Sequence, residues 1–448
     1  MTASSDLFRF EIGEIMEINT GDTAWVLVAS AMVLIMTPGL ALFYGGLSKR
    51  KSTLNMMMMS FISMGIAAAL WVIYGYAVSF GNSGSAFIGE IGFSNLGSKV
   101  GELAANGSTY PIPLLAFAAF QLMFAVITPA LISGSVADRT KFFTWAIFVA
   151  IWSTVVYFPV AHWVFDFGGT DSSGAGWLAA LGVLDFAGGT AIHINAGAAG
   201  LALAVVLGPR LGWKGGSTKP HNIPLAMVGL GLLWFGWFGF NGGSALGANA
   251  TAGLAILNTQ VAASTGLIGW LFGQQLQGER PSAVGAASGA IAGLVAITPA
   301  CAFVSPSGAL AIGIIAGFVC AYAIQIKSKF GFDDSLDVVG LHLVAGLVGC
   351  LAIGLLGTKS VNEFGADGLF YGGGFELLGK QAIGAGAVTA FSFIVTFIIA
   401  KVLDLTLGFR IDEDHELEGV DLRAHGELAY EDLDSIEMGD ENFEFANS

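Results

Sequence analysis

Eleven apolar runs, each about 19 to 28 residues long, decide what this chain can fold into. They fall at residues 24–46, 53–80, 112–136, 142–165, 186–207, 224–242, 252–276, 283–303, 308–326, 338–356 and 381–405. A helix rises about 1.5 Å per residue, so each run is long enough to cross a hydrocarbon core of about 30 Å. None alternates in polarity, as the strands of a membrane barrel would. Only 11% of the residues are charged, against about 25% in a soluble domain, and mean hydropathy is +0.73. The expected fold class is an all-α polytopic membrane protein of eleven transmembrane helices. Glycine, at 64 of 448 residues, is about twice as common as average, which lets helix backbones approach closely.

Basic residues set the expected orientation. Fourteen of the 18 Lys and Arg lie on one side of the runs, in loops holding Lys49, Arg50, Lys51, Arg139, Lys141, Arg210, Lys214, Lys219, Arg280, Lys327 and Lys329 and in the C-terminal region. Arg9, Lys99, Lys359 and Lys380 lie on the other. The first side is expected to be cytoplasmic, with the N-terminus outside and the C-terminus inside. The net charge of −15 is concentrated in residues 411–448, which hold 14 acids and one base. Cys301, Cys320 and Cys350 all fall in apolar runs, so no disulfide framework is expected. The first 23 residues have no basic start leading into an apolar stretch, so no cleaved signal is expected.

Two of the runs share a pattern. His193-Ile-Asn-Ala-Gly197-Ala-Ala-Gly200 and His342-Leu-Val-Ala-Gly346-Leu-Val-Gly349 both read His-x-x-Ala-Gly-x-x-Gly, each after an acid, Asp185 and Asp337. An imidazole inside an apolar span is costly unless it is used. The fifth run enters from one side and the tenth from the other, so the two histidines should converge near the middle. That places inverted five-helix repeats at residues about 24–207 and 224–356, with an eleventh helix added at about 381–405. Asp185 and Asp337, each at the start of a run, are read as caps for free backbone N–H groups.

Phe120 and Phe124 stand four apart, on one face of the third run. Gly236-Trp-Phe-Gly-Phe240-Asn-Gly-Gly-Ser244 closes the outer end of the sixth. Aromatic faces attract a cation by roughly 0.5–2 kcal/mol, and the Ser244 hydroxyl adds an acceptor. Such a wall can hold a small cation without a counter-charge. No nucleophile–base set and no metal cluster is apparent, so no enzymatic activity, metal or cofactor is expected.

These stretches resemble the Amt/Mep/Rh ammonium transporter family, on its bacterial Amt branch. The similarity runs from Asp185-Phe-Ala-Gly-Gly-Thr-Ala-Ile-His193 through the Gly236–Ser244 motif, Ser288-Gly-Ala-Ile-Ala-Gly-Leu-Val and Asp337-Val-Val-Gly-Leu-His342 to the tail, Glu418-Gly-Val-Asp421 with His425-Gly-Glu-Leu-Ala-Tyr430. The resemblance implies a homotrimer of eleven-helix protomers in the plasma (inner) membrane, each with its own pore. It implies that His193 and His342 line that pore and that Phe120 and Phe240 form the outer gate. It assigns Phe124 and Ser244 to the outer recruitment site, and makes Asp185 an essential acid that shapes that site. The family often has Trp where Phe165 aligns, which leaves Phe165, Trp163 and Trp177 as candidates to complete the site. Ammonium or ammonia is the implied cargo, with methylammonium as an analogue; no nucleic acid is implied. The alternatives are an ammonium sensor signalling through its tail and a passive Rh-type gas channel.

The expected organisation is an outer N-terminal segment at 1–23, a membrane domain at 24–405, a cytoplasmic regulatory tail at 406–430 and an acidic end at 431–448. Acids of the tail are expected to pair with loop bases such as Lys49, Arg50, Arg210 and Lys214. The tail's resemblance implies docking of a PII-type (GlnK-like) signalling protein on that face.

Overall fold

The structure, a computed structural model, describes residues 17–81, 84–169, 174–213 and 219–430. Lys214, most of the 1–23 segment and the whole 431–448 end lie outside the described residues. Among those described, ten helices are long and apolar enough to cross a membrane, and an eleventh apolar helix is shorter. In chain order they are α1 (Thr20–Leu47), α2 (Arg50–Phe80), α3 (Leu114–Val136), α4 (Phe142–Phe165), α5 (Gly189–Leu207), α6 (Ile223–Gly243), α7 (Ala250–Leu276), α8 (Ala283–Ile297), α9 (Pro306–Phe330), α10 (Val339–Leu356) and α11 (Glu376–Leu407). The chain is a multi-pass helical membrane protein, as its apolar runs require. Side-chain caps mark many of the starts: Asn19, Asn222, Asn249, Ser282 and Ser305 each accept a backbone N–H three residues on.

Three elements depart from the sequence reading, the first for a clear physical reason. The eighth run, expected at 283–303, is helical only to Ile297 and continues as tight turns. Pro299 lacks the N–H needed to extend the helix, and its carbonyl instead accepts the Phe186 N–H. The eleventh helix begins five residues before the expected 381, at Glu376. The loop before α3 contains a small antiparallel hairpin, Leu103–Asn106 with Ser108–Pro113, turning at Asn106-Gly107.

The centre of the bundle is the crossing of α5 and α10. A Cβ on Gly197 would lie 2.3 Å from the Leu343 backbone N, and one on Gly346 would lie 2.9 Å from the Ile194 side chain. These are the glycines four residues after each histidine, so the shared motif places a helix contact beside each imidazole. Gly200 meets Ser135 at the end of α3, and Gly349 meets Ala296 at the end of α8. The contacts run 194 to 346, 197 to 343 and 200 to 338, so the helices are antiparallel and overlap through their N-terminal halves. α5 is the most enclosed of the spanning helices, and α11 the least. We call the end of the bundle bearing Arg139, Arg210 and the tail the basic end, and the opposite end the aromatic end.

Candidate functional site

Each histidine sits in a π-helical turn, Gly189–Ile194 and Val339–Val344, at the start of its helix. Such turns admit an extra residue and rotate the side chains that follow. The two imidazoles meet with Nδ1 to Nδ1 at 3.2 Å and ring planes 17° apart. At that separation one Nδ1 carries a hydrogen and the other accepts it, so the pair shares a single proton position. His193 also stacks on Trp237 (19° between planes) and lies near Phe240. Trp237 is fixed by its indole N–H, which donates to Thr298 Oγ1 at 2.8 Å. Leu40, Ile127, Leu131, Leu233, Ile291 and Leu341 complete an apolar lining around the pair. His193 Nε2, buried, has no protein hydrogen-bond partner among the described residues.

Above the histidines, toward the aromatic end, four rings gather. Phe124 contacts Phe120 (centroids 4.8 Å), Phe240 (4.4 Å) and Phe165 (6.4 Å). Gly243 makes room for this, because a Cβ there would lie 2.6 Å from the Phe120 ring. The Ser244 hydroxyl donates to the Phe240 carbonyl at 2.9 Å, which leaves its oxygen lone pairs to accept a hydrogen from a ligand.

Trp163 is not beside Phe124. Its indole donates to the Phe87 carbonyl at 2.8 Å, and its ring packs on Phe391, Phe87 and Trp177. Residues two positions apart on a helix are about 200° apart around its axis, so Trp163 and Phe165 face opposite ways. Trp177 belongs to the same separate cluster. Of Phe165, Trp163 and Trp177, only Phe165 adjoins Phe124 among the described residues.

The two acids differ. Asp185 accepts four backbone N–H groups: Gly188 and Gly189 on Oδ1, Thr190 and Ala191 on Oδ2. It caps the first turn of α5. Asp337 does not cap α10. It has φ +64° and pairs with Lys327 at 2.6 Å. The cap is Asp334, which accepts the N–H groups of Val338 and Val339. The left-handed residue turns the chain so that the free N–H groups face three residues further back. Burial and the neighbouring Asp337 charge push the Asp334 carboxyl up. Spacing alone could not choose between Asp333, Asp334 and Asp337.

The basic end is built around Arg210. Its guanidinium holds Asp333 through Nε (2.8 Å) and Nη2 (2.9 Å), and Asp138 through Nη1 (3.0 Å). Burial raises the Asp333 carboxyl, but the Arg210 bonds and charge outweigh it and hold Asp333 below the usual carboxylate range. Arg139, fully buried, donates to the carbonyls of Ser135 and Asp333. The loops after α3 and α5 and before α10 are thus one unit.

The tail docks here, though not by the pairing expected for Arg210. The Leu211 N–H donates to Glu416 at 2.6 Å, and Glu416 also pairs with Arg410. Asp421 accepts the N–H groups of Leu54 and Asn55 near the start of α2. Tyr430 lies by its hydroxyl on His221 and Asn222, with Arg50 5.4 Å from its ring centroid.

A bundle of apolar helices that encloses two touching imidazoles in a small apolar cavity behind a cluster of rings defines a multi-pass helical membrane protein with a polar pair at its centre. The chain belongs to the Ammonium Transporter Family, whose family profile matches residues 24–430. It is 49% identical over 430 residues to an ammonium transporter of Mycobacterium tuberculosis, covering 92% of this chain and 90% of that one. It is 46% identical to an ammonium transporter of Bacillus subtilis, covering 92% and 99%. Among solved structures it is similar to Saccharomyces cerevisiae Mep2, with a TM-score of 0.79, 34% identity and 89% of each chain covered. It is also similar to a protein described as a sensor Amt protein, with a TM-score of 0.81, 28% identity and 90% and 98% covered.

Proposed function

We propose that this protein is a transporter, not an enzyme, that moves ammonium or ammonia across the plasma membrane. The observation that carries this reading is the 3.2 Å imidazole pair enclosed by apolar side chains behind the ring cluster. The aromatic end faces outside and the basic end the cytoplasm, following the distribution of Lys and Arg. Ammonium is drawn to Phe124 and Phe165, whose faces attract the cation, and gives a hydrogen bond to Ser244. Phe240, packed on Phe124 with centroids 4.4 Å apart, closes the way inward, and Phe120 stands on the outer side of Phe124. A bare cation is costly in the apolar lining, so ammonium gives up its proton near this gate. Ammonia then passes along the histidines, which offer it both a donor and an acceptor, and the released proton follows through the same imidazole pair, so each ammonium taken up carries one net charge inward. Asp185 serves by holding the first turn of α5, and with it His193, in place. Asp337, with Lys327, braces the turn that leads to His342.

The working unit is a homotrimer with one pore per protomer. The tail, residues 406–430, holds the basic-end loops in register. A PII-type (GlnK-like) protein binds that face and blocks the pores. The test is current from the purified protein in liposomes after a jump in ammonium concentration. Current that saturates with ammonium supports the transporter. Ammonium binding without flux replaces this reading with a sensor, and flux of neutral ammonia without current replaces it with a gas channel.

A further inference from the structure

Phe165 is the last residue of α4, and the chain turns away immediately after it. Contacts from outside α4 fix this helix end and the buried ring it carries. One side chain does so from a distance in sequence. Asn106 Nδ2 donates to the Phe165 carbonyl at 2.7 Å, and Asn106 Oδ1 accepts the Phe167 N–H at 2.6 Å. The buried amide thus spends a donor and its acceptor on one short backbone segment. Beside it the Gly107 N–H donates to the Gly168 carbonyl at 2.6 Å. Gly107 has φ +72°, and a Cβ there would lie 2.7 Å from the Phe167 Cβ, so no other residue fits this tip without displacing the turn.

The other side of this clamp is α3. The strand Ser108–Pro113 runs directly into Leu114, and the Leu114 N–H is held by the Glu102 carbonyl at 2.9 Å. α3 carries Phe124. The amide of Asn106 therefore ties the end of α4 to the start of α3, the helices whose rings stand 6.4 Å apart. The turn is also held on its far side. Asp166 Oδ1 accepts the Gly168 N–H, and Oδ2 lies 3.0 Å from His162 Nδ1.

We infer that Asn106 is a positioning residue of the outer site: through the hairpin it sets the spacing between Phe165 and Phe124, and thereby the affinity for the incoming cation. The inference rests on the proposal that these rings recruit ammonium. The two Asn106 bonds go to backbone groups of Phe165 and Phe167.

The experiment measures half-saturating ammonium concentration and maximal current in liposomes containing the full chain. The variants are Phe165→Ala, Asn106→Ala, Asn106→Asp, Gly107→Ala and the double variant Asn106→Ala with Phe165→Ala. Asn106→Ala is expected to raise the half-saturating concentration about three- to tenfold with maximal current within about twofold. Asn106→Asp, which keeps the acceptor but loses the donor to Phe165, and Gly107→Ala should shift it in the same direction. On the Phe165→Ala background, Asn106→Ala should add nothing, because both act through one ring. If Phe165→Ala shifts the concentration dependence and Asn106→Ala does not, the inference is overturned. It is also overturned if Asn106→Ala shifts it equally on both backgrounds, or lowers maximal current alone. If Phe165→Ala itself changes nothing, the recruitment proposal fails first, and the inference with it. Should Asn106→Ala fail to assemble, Asn106→Asp and Gly107→Ala decide by the same criteria.

Discussion

At the residue scale, acids that look alike in sequence do unlike work. Asp185 satisfies four N–H groups and Asp334 two, whereas Asp337 forms an ion pair. Asp185→Asn turns an acceptor oxygen into an amide that faces backbone donors, and leaving a buried donor unsatisfied costs about 1–3 kcal/mol. We expect Asp185→Asn and Asp334→Asn to lower the apparent melting temperature in detergent clearly more than Asp337→Asn. Equal losses in all three would contradict the capping assignment. Phe165 adjoins Phe124, so Phe165→Trp should tighten half-saturation by about 0.5–2 kcal/mol, and Phe165→Ala should weaken it. If neither moves the ammonium concentration dependence, position 165 is not in the site. Among the residues the sequence did not single out for a role, Trp237 stands three before Phe240 on the same face of α6, a spacing that could have revealed it. Thr298 and Asn106 carried no comparable signal, because their bonds reach across 61 and 59 residues of sequence.

At the element scale, apolar length and periodic motifs showed where the helices lie, and their ends were harder to read. α8 illustrates this: the run is apolar to 303, but Pro299 takes away the backbone donor that would continue the helix. The matched histidine motifs were legible, while the π turns that aim them were not, because no residue type is specific to such turns. The crossing of α5 and α10 depends on Gly197, where a Cβ would meet backbone rather than a flexible side chain. Gly197→Ala must force the helices apart, at about 1–3 kcal/mol. Its apparent melting temperature should fall and its ammonium current should drop; wild-type values for both would show that the crossing is more compliant than its geometry implies. The tail was legible as a docking segment, but its partners were not. Among the described residues, its acids Glu416 and Asp421 accept backbone N–H groups of the loop after α5 and of α2. Deleting 406–448 should lower flux and abolish binding of a PII-type protein in pull-down, whereas deleting 431–448 alone should change flux little. Full flux with intact binding after the larger deletion would make the tail a bystander.

At the scale of the whole molecule, an aromatic end and a charge-stabilised basic end lie on either side of an apolar interior with two imidazoles in contact. On the proposed reading, selectivity follows from that sequence of environments, since a solute must be attractive as a cation and able to shed a proton to continue. Potassium satisfies the first condition and fails the second. The most direct test records currents in liposomes after jumps of ammonium or potassium, for the wild type and for His193→Ala and His342→Ala. The account predicts ammonium current and no potassium current in the wild type. It predicts that each variant either loses ammonium current or begins to pass potassium, while still assembling as the wild type does. Unchanged ammonium current and unchanged exclusion of potassium in both variants would contradict it.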